Sequence, residues 1–203
     1  MKKRINISHS ETCAPSLRNK DALQSVEAIV DDHITQHRTR TAREMKFYKI
    51  QPNLEQAIEV ASLAKLPSGK RHPHQRRIPQ AALQESKARL SVVDFNKCAS
   101  FDELYAVVER QIDDISGIGR LTVYDTAQRI GAYLGLEPDL IYLHAGTREG
   151  AKALGLDVRK HALTFQEMPE PFHRLRPYEI EDCLCLYKGE LSELYRKAAR
   201  PKS

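Results

Sequence analysis

The residues with the clearest chemical potential are Ser116, Gly117, Ile118, Gly119, Arg120 and Thr122, in the run Ser-Gly-Ile-Gly-Arg-Leu-Thr. Two glycines one residue apart let the backbone take angles closed to other residues and remove side chains that would block a close approach. Ile118 between them is apolar, so it is expected to point inward and anchor the turn. The turn N–H groups then face outward at the N-terminus of the next helix, where they can hold a phosphate. Arg120 adds positive charge, and Thr122 adds a hydroxyl donor. Contacts of this kind position a duplex without reading its base sequence.

A second source of positive charge is the run PSGKRHPHQRRIP, inside a window from Glu59 to Glu85 that holds no acidic residue between those two. Lys70, Arg71, Arg76 and Arg77 lie in it, with His72 and His74 among them. Pro67 and Pro79 bound it and Gly69 interrupts it, which predicts a loop. A further basic stretch carries Arg38, Arg40, Arg43, Lys46 and Lys49, relieved by Glu44. Both fit a surface that tracks phosphates, and both also fit an ordinary solvated face.

These residues need elements to hold them. Ser100 followed by Glu103 is a capping box, and Phe101, Leu104, Tyr105, Val108, Ile112 and Ile115 make one apolar stripe behind it. That predicts a helix ending at Ser116 and Gly117. A second helix is expected from Gly119 or Arg120 to Gly135, with Leu121, Tyr124, Ala127, Ile130 and Leu134 inward. A weaker helical pattern runs from Asp21 to about Lys49. Others are expected over 53–65, capped by Asn53, over 79–90 and over 147–154, and the C-terminal PYEIEDCLCLYKGELSELYRKAAR is expected to be helical with a break at Gly189. The apolar DLIYLHAG is expected to be a buried connection, and nothing is expected to build a sheet. The expected class is all-α: a loose tail over residues 1–20, then one helical domain over 21–203 with the paired helices at about 101–134.

Two amphipathic helices joined by Gly-hydrophobic-Gly form the helix-hairpin-helix pattern. The run from about Phe101 to Leu156 resembles the core of the base-excision DNA glycosylases of that superfamily. A family sequence of the form L-P-G-I/V-G-x-x-T-A corresponds to Ile115, Ser116, Gly117, Ile118, Gly119, Arg120, Leu121, Thr122 and Val123. A following connection, helix and L-G-L/F correspond to Tyr142, Leu143, His144 and then Leu154, Gly155 and Leu156. The C-terminal PYEIEDCLCLYKGEL is similar to endings of related helical domains that act on modified thymine in phage DNA. The resemblance implies DNA as partner, held by its backbone, and a setting such as DNA repair or phage defence. It also marks departures. The lysine that forms a Schiff base in family members with lyase activity is replaced by Leu121. The family's catalytic aspartate position falls on His144, with Asp139 and Asp125 as alternative carboxylates, and Asp125 is also placed to pair with Arg129 one turn on. The leading expectation is therefore DNA binding without glycosylase or lyase activity. The alternatives are a diverged glycosylase-like enzyme acting on a modified base, and a helical module that binds another protein.

Composition agrees with a folded, basic protein. The chain has 203 residues, 41% hydrophobic and 29% charged, with a formal net charge of +5 that favours a polyanionic partner. No apolar run approaches the roughly 20 residues of a membrane span. The start MKKRINISHSETCAP has no apolar segment behind its basic residues, so no secretory leader is expected. Cys13, Cys98, Cys183 and Cys185 lack the spacing of a disulfide framework, a zinc site or an iron–sulfur cluster. Free thiols in a reducing cytoplasm are expected, with no metal and no cofactor. Aromatic residues are only 6%, without Trp, so an aromatic ligand cage is not expected.

Overall fold

The computed structural model describes residues 23–198. The expected N-terminal tail, residues 1–20, lies outside them, as does Cys13. Among the described residues there are nine α-helices: α1 (Val26–Gln36), α2 (Arg38–Lys49), α3 (Leu54–Ser62), α4 (Gln80–Leu90), α5 (Phe101–Ile112), α6 (Arg120–Leu134), α7 (Ala145–Ala153), α8 (Pro177–Leu186) and α9 (Lys188–Ala198). No helix among the described residues is long and apolar enough to cross a membrane.

Local chemistry explains the two central helices. Ser100 Oγ accepts from the Glu103 N–H at 3.2 Å, and the Glu103 carboxylate reaches back to the Ala99 N–H at 2.8 Å. The apolar stripe of α5 is buried along its length, through Phe101, Leu104, Tyr105, Val108 and Ile112. Helix α6 starts on Gly119 and stops at Gly135, which takes left-handed angles (φ 76°) and so frees the chain to turn. Gly131, inside α6, sits where a Cβ would lie 2.5 Å from the Leu136 carbonyl oxygen and 3.2 Å from Leu104. Its bare backbone lets α5 pack close and the chain fold back after Gly135.

The expected absence of sheet is corrected. Ile141 and Tyr142 form a short strand, β1, which pairs antiparallel with β2 (Ala162–Leu163). Two residues are too few to show alternation, and the partner lies far along the chain, so periodicity could not reveal the pair. The segment is nonetheless buried. Its alternation divides the interior: Tyr142 joins the cluster built by α3, α4, α5 and α6, while Ile141 and Leu143 join the one built by α1, α7, α8 and α9. The strand is the seam between two packed halves.

Several boundaries move. The helical pattern up to Lys49 is two helices broken at His37, α3 ends at Ser62 rather than Lys65, α5 ends at Ile112 rather than at Ser116 and Gly117, α7 begins at Ala145 rather than Thr147, and the C-terminal helix breaks at Tyr187 rather than Gly189. Tyr187 is fully buried, and its hydroxyl donates to Asp32 at 2.6 Å, so packing against α1 sets that break. Helix α3 stops at Ser62, and Ala64 takes left-handed angles (φ 52°) to turn the chain into the basic loop.

Candidate functional site

On α6 the residues Leu121, Asp125, Gln128 and Arg129 share one face by helical spacing. That face opens on a cleft of about 100 Å³. Thr41, Glu44 and Met45 enter it from α2, Tyr178, Glu181, Asp182 and Cys185 from α8, and His72 and His74 from the basic loop. His144, the residue immediately before α7, closes the far wall. The cleft therefore lies where elements of both packed halves meet.

Arg129 holds one side together. Its side chain is 3% exposed. It donates to Gln75 Oε1 at 2.9 Å and approaches Asp125 Oδ2 at 3.4 Å. Its guanidinium lies 5.6 Å from the centre of the Tyr48 ring. The one-turn pairing with Asp125 is present, but in the cleft wall rather than on an exposed face. Opposite, His144 Nε2 and Thr147 Oγ1 both contact Glu181 Oε1, the threonine donating at 2.9 Å. Asp182 accepts from Thr41 at 3.2 Å, and Glu44 faces His72 at 3.6 Å.

Four carboxylates thus share a partly enclosed space with one arginine. Burial raises Asp125 to about 6, against the pull of Arg129 and with a further push from Glu181. Burial and the Glu181 charge raise Asp182, and burial raises Glu44. Burial works to lower His144, but its contact with Glu181 and that carboxylate's charge outweigh this and raise it, so the imidazole keeps a proton more readily than usual. Burial, reinforced by Arg129, lowers His72 to about 3. Burial pushes the Cys185 thiol up to about 12, which removes it as a nucleophile at neutral pH. The site can therefore exchange protons near neutrality. No lysine lines it, and Leu121 is among its lining residues. Among the described residues no group of three or more His, Cys, Asp or Glu side chains is disposed to hold a metal ion.

These shifts give a pH prediction. His72 titrates near 3 in the fold against about 6.5 in an unfolded chain. A depressed histidine stabilises the fold above its unfolded value and loses that contribution as pH falls. Asp125, raised to about 6, acts oppositely: its contribution is present below its unfolded value of about 4 and is lost as pH rises. His72→Gln isolates the first effect. Urea denaturation should find the variant gaining about 1–2 kcal/mol on the wild type between pH 8 and pH 5. An unchanged difference would show that His72 charges freely in the fold.

The turn before α6 lies beside the end of the basic loop: a Cβ on Gly117 (φ 93°) would stand 3.1 Å from Pro79 Cδ. Ser116, Gly117, Gly119 and Arg120 are exposed, while Ile118 is buried in the core. A Cβ on Gly119 would meet nothing within 4 Å, so the space outside the turn is open. Lys70, Arg76 and Arg77 are exposed. Two expected contact residues point elsewhere. Arg71 donates to the Ile78 carbonyl at 2.7 Å and to Gln80, so it closes its own loop. Thr122 is only 7% exposed, because the first turn of α6 rolls it toward the core. Of the catalytic candidates, His144 and Asp125 meet in the cleft, whereas Asp139 is exposed on the connection before β1 and is not among the lining residues. Sequence reasoning missed Glu44, Glu181 and Asp182. The spacing of Tyr178, Glu181, Asp182 and Cys185 along one helix face was the available signal.

The chain matches no protein family, no curated protein and no solved structure.

Proposed function

We propose that this protein binds DNA by its backbone and seats one extruded nucleotide in the cleft. The Ile118 N–H donates to the Ile115 carbonyl at 2.9 Å, so the N–H groups of Gly119 and Arg120, with the Arg120, Lys70, Arg76 and Arg77 side chains, hold phosphates, and the face of α6 below receives the base. One observation carries this reading: the helix that begins at the open turn is the helix that lines the polar cleft. A phosphate held at its N-terminus leaves the adjoining nucleotide within reach of Asp125 and His144. The resemblance to helix-hairpin-helix glycosylases supports the same arrangement.

A second reading, hydrolysis of the base–sugar bond, is favoured by the proton-exchanging groups. Asp125 would take a proton from water or face the developing oxocarbenium charge, and His144, oriented by Glu181 and Thr147, would donate its proton to the departing base. Water adds to the sugar carbon as the bond to the base breaks. No lysine lines the cleft itself, so this reading includes no Schiff base.

The binding claim is tested at Gly119. Aspartate there meets no atom and is a better helix cap than glycine, yet it sets a negative charge where a phosphate would lie. Gly119→Asp should keep or slightly raise the melting temperature and weaken binding to a short duplex at least tenfold by fluorescence anisotropy. Wild-type affinity should fall steeply with salt. Equal affinity of the two proteins would remove the turn from the interface.

A further inference from the structure

A second hollow of about 270 Å³ adjoins the cleft. The two share Met45, Gln128 and Tyr178, so they form one groove between α2 and α6. Its floor is apolar, from Met45, Ala132, Leu136 and Pro138. Its rim is cationic, from Lys46, Lys49 and Arg176. Arg176 is already matched by Glu137 at 3.3 Å, which leaves the two exposed lysines of α2 as the charges available to a ligand. Lysines in the last turn of a helix answer its own dipole, but that does not account for a groove beside them that runs into the cleft. The polarity is ordered along α6: an open turn and Arg120 at the N-terminal end, the acid–base cleft in the middle, and cations over an apolar floor at the C-terminal end.

We infer that the α2–α6 groove is a second DNA contact, taking the backbone of the strand that continues beyond the extruded nucleotide. The inference rests on the proposed DNA binding and extends it. A nucleotide strand has the matching pattern, with anionic phosphates for Lys46 and Lys49 and flat apolar faces for the floor. Arg43, exposed one turn before Lys46, extends the cationic line of α2 back toward the cleft, which a lone phosphate would not need. Helix α6 has 15 residues, about 22 Å, or roughly six stacked nucleotides at 3.4 Å each. The strand is thus gripped on both sides of the cleft.

The test compares the double variant Lys46→Ala/Lys49→Ala with a charge-matched control, Lys97→Ala/Lys152→Ala, whose lysines lie away from the groove. Anisotropy titrations with one duplex at several salt concentrations give affinity and salt slope. Losing two phosphate contacts should weaken binding about tenfold and reduce the slope by about 2, while the control keeps both within error. A groove variant that behaves like the control, in a protein that binds DNA and is weakened by Gly119→Asp, would overturn the groove contact and leave the turn standing. A wild type that binds no DNA at low salt would overturn both.

Discussion

Gly150→Ala is expected to destabilise the protein by about 2 kcal/mol or more, although alanine is the better helix former. Gly150 is buried in α7, and a Cβ there would lie 2.2 Å from the Leu184 carbonyl oxygen and 2.8 Å from its carbon. Those are backbone atoms of α8 and cannot rotate away. Helix propensity favours the substitution by about 1 kcal/mol, while forcing an added methyl into a close-packed contact costs up to about 3 kcal/mol or more, so the packing cost wins. The consequence reaches the cleft. His144 immediately precedes α7 and Glu181 sits on α8, so spreading the helices separates the pair that contact each other there. Gly189→Ala is the control, because a Cβ at that exposed position of α9 would meet nothing within 4 Å. Urea denaturation should show Gly189→Ala neutral or slightly stabilising and Gly150→Ala strongly destabilising. Equal effects would mean that α7 and α8 do not need the bare backbone.

Arg129→Met is expected to cost about 3 kcal/mol at pH 8. The methionine keeps much of the buried stem, so the loss is electrostatic. It removes the donor to Gln75 and the cation beside Asp125, and breaking a buried pair by removing one member costs about 3–5 kcal/mol. Asp125 limits that loss by taking a proton. It already titrates near 6, and without Arg129 that value rises further. The deficit should therefore shrink at pH 5, where the carboxyl is neutral, and shrink again in Arg129→Met/Asp125→Asn. A loss below about 1 kcal/mol at pH 8 would show that Arg129 is not the strut of the cleft.

The sequence made some of this legible. Ser100 and Glu103, then an apolar stripe through Ile112, are local signals, and local physics decides where α5 lies. Gly135 ends α6 for the same reason. The turn at residues 116–119 could be placed because glycine pairs have few uses between two amphipathic helices. The strand pair could not, since Ile141 needs Leu163 to make it a strand. The cleft was half visible. His144 and Asp125 stood out by type and place, but Glu44, Glu181 and Asp182 look like solvated helix carboxylates until α2 and α8 close on α6. Gly150 likewise looks like a weak point in a helix until Leu184 arrives from a distant segment. What the sequence hid is what long-range packing creates.

The central claim is that the turn proposed to grip phosphate and the cleft proposed to receive a base lie along one helix, the turn at its N-terminus and the cleft on the face that follows. The most direct test is a duplex with 2-aminopurine opposite a mismatch, whose fluorescence rises when the base leaves the stack. With wild-type protein the rise should track binding, as followed by anisotropy. Gly119→Asp should shift both curves together, by at least tenfold, to higher protein concentration. Saturating binding with no rise would contradict the account: the duplex would be held while the cleft stayed empty.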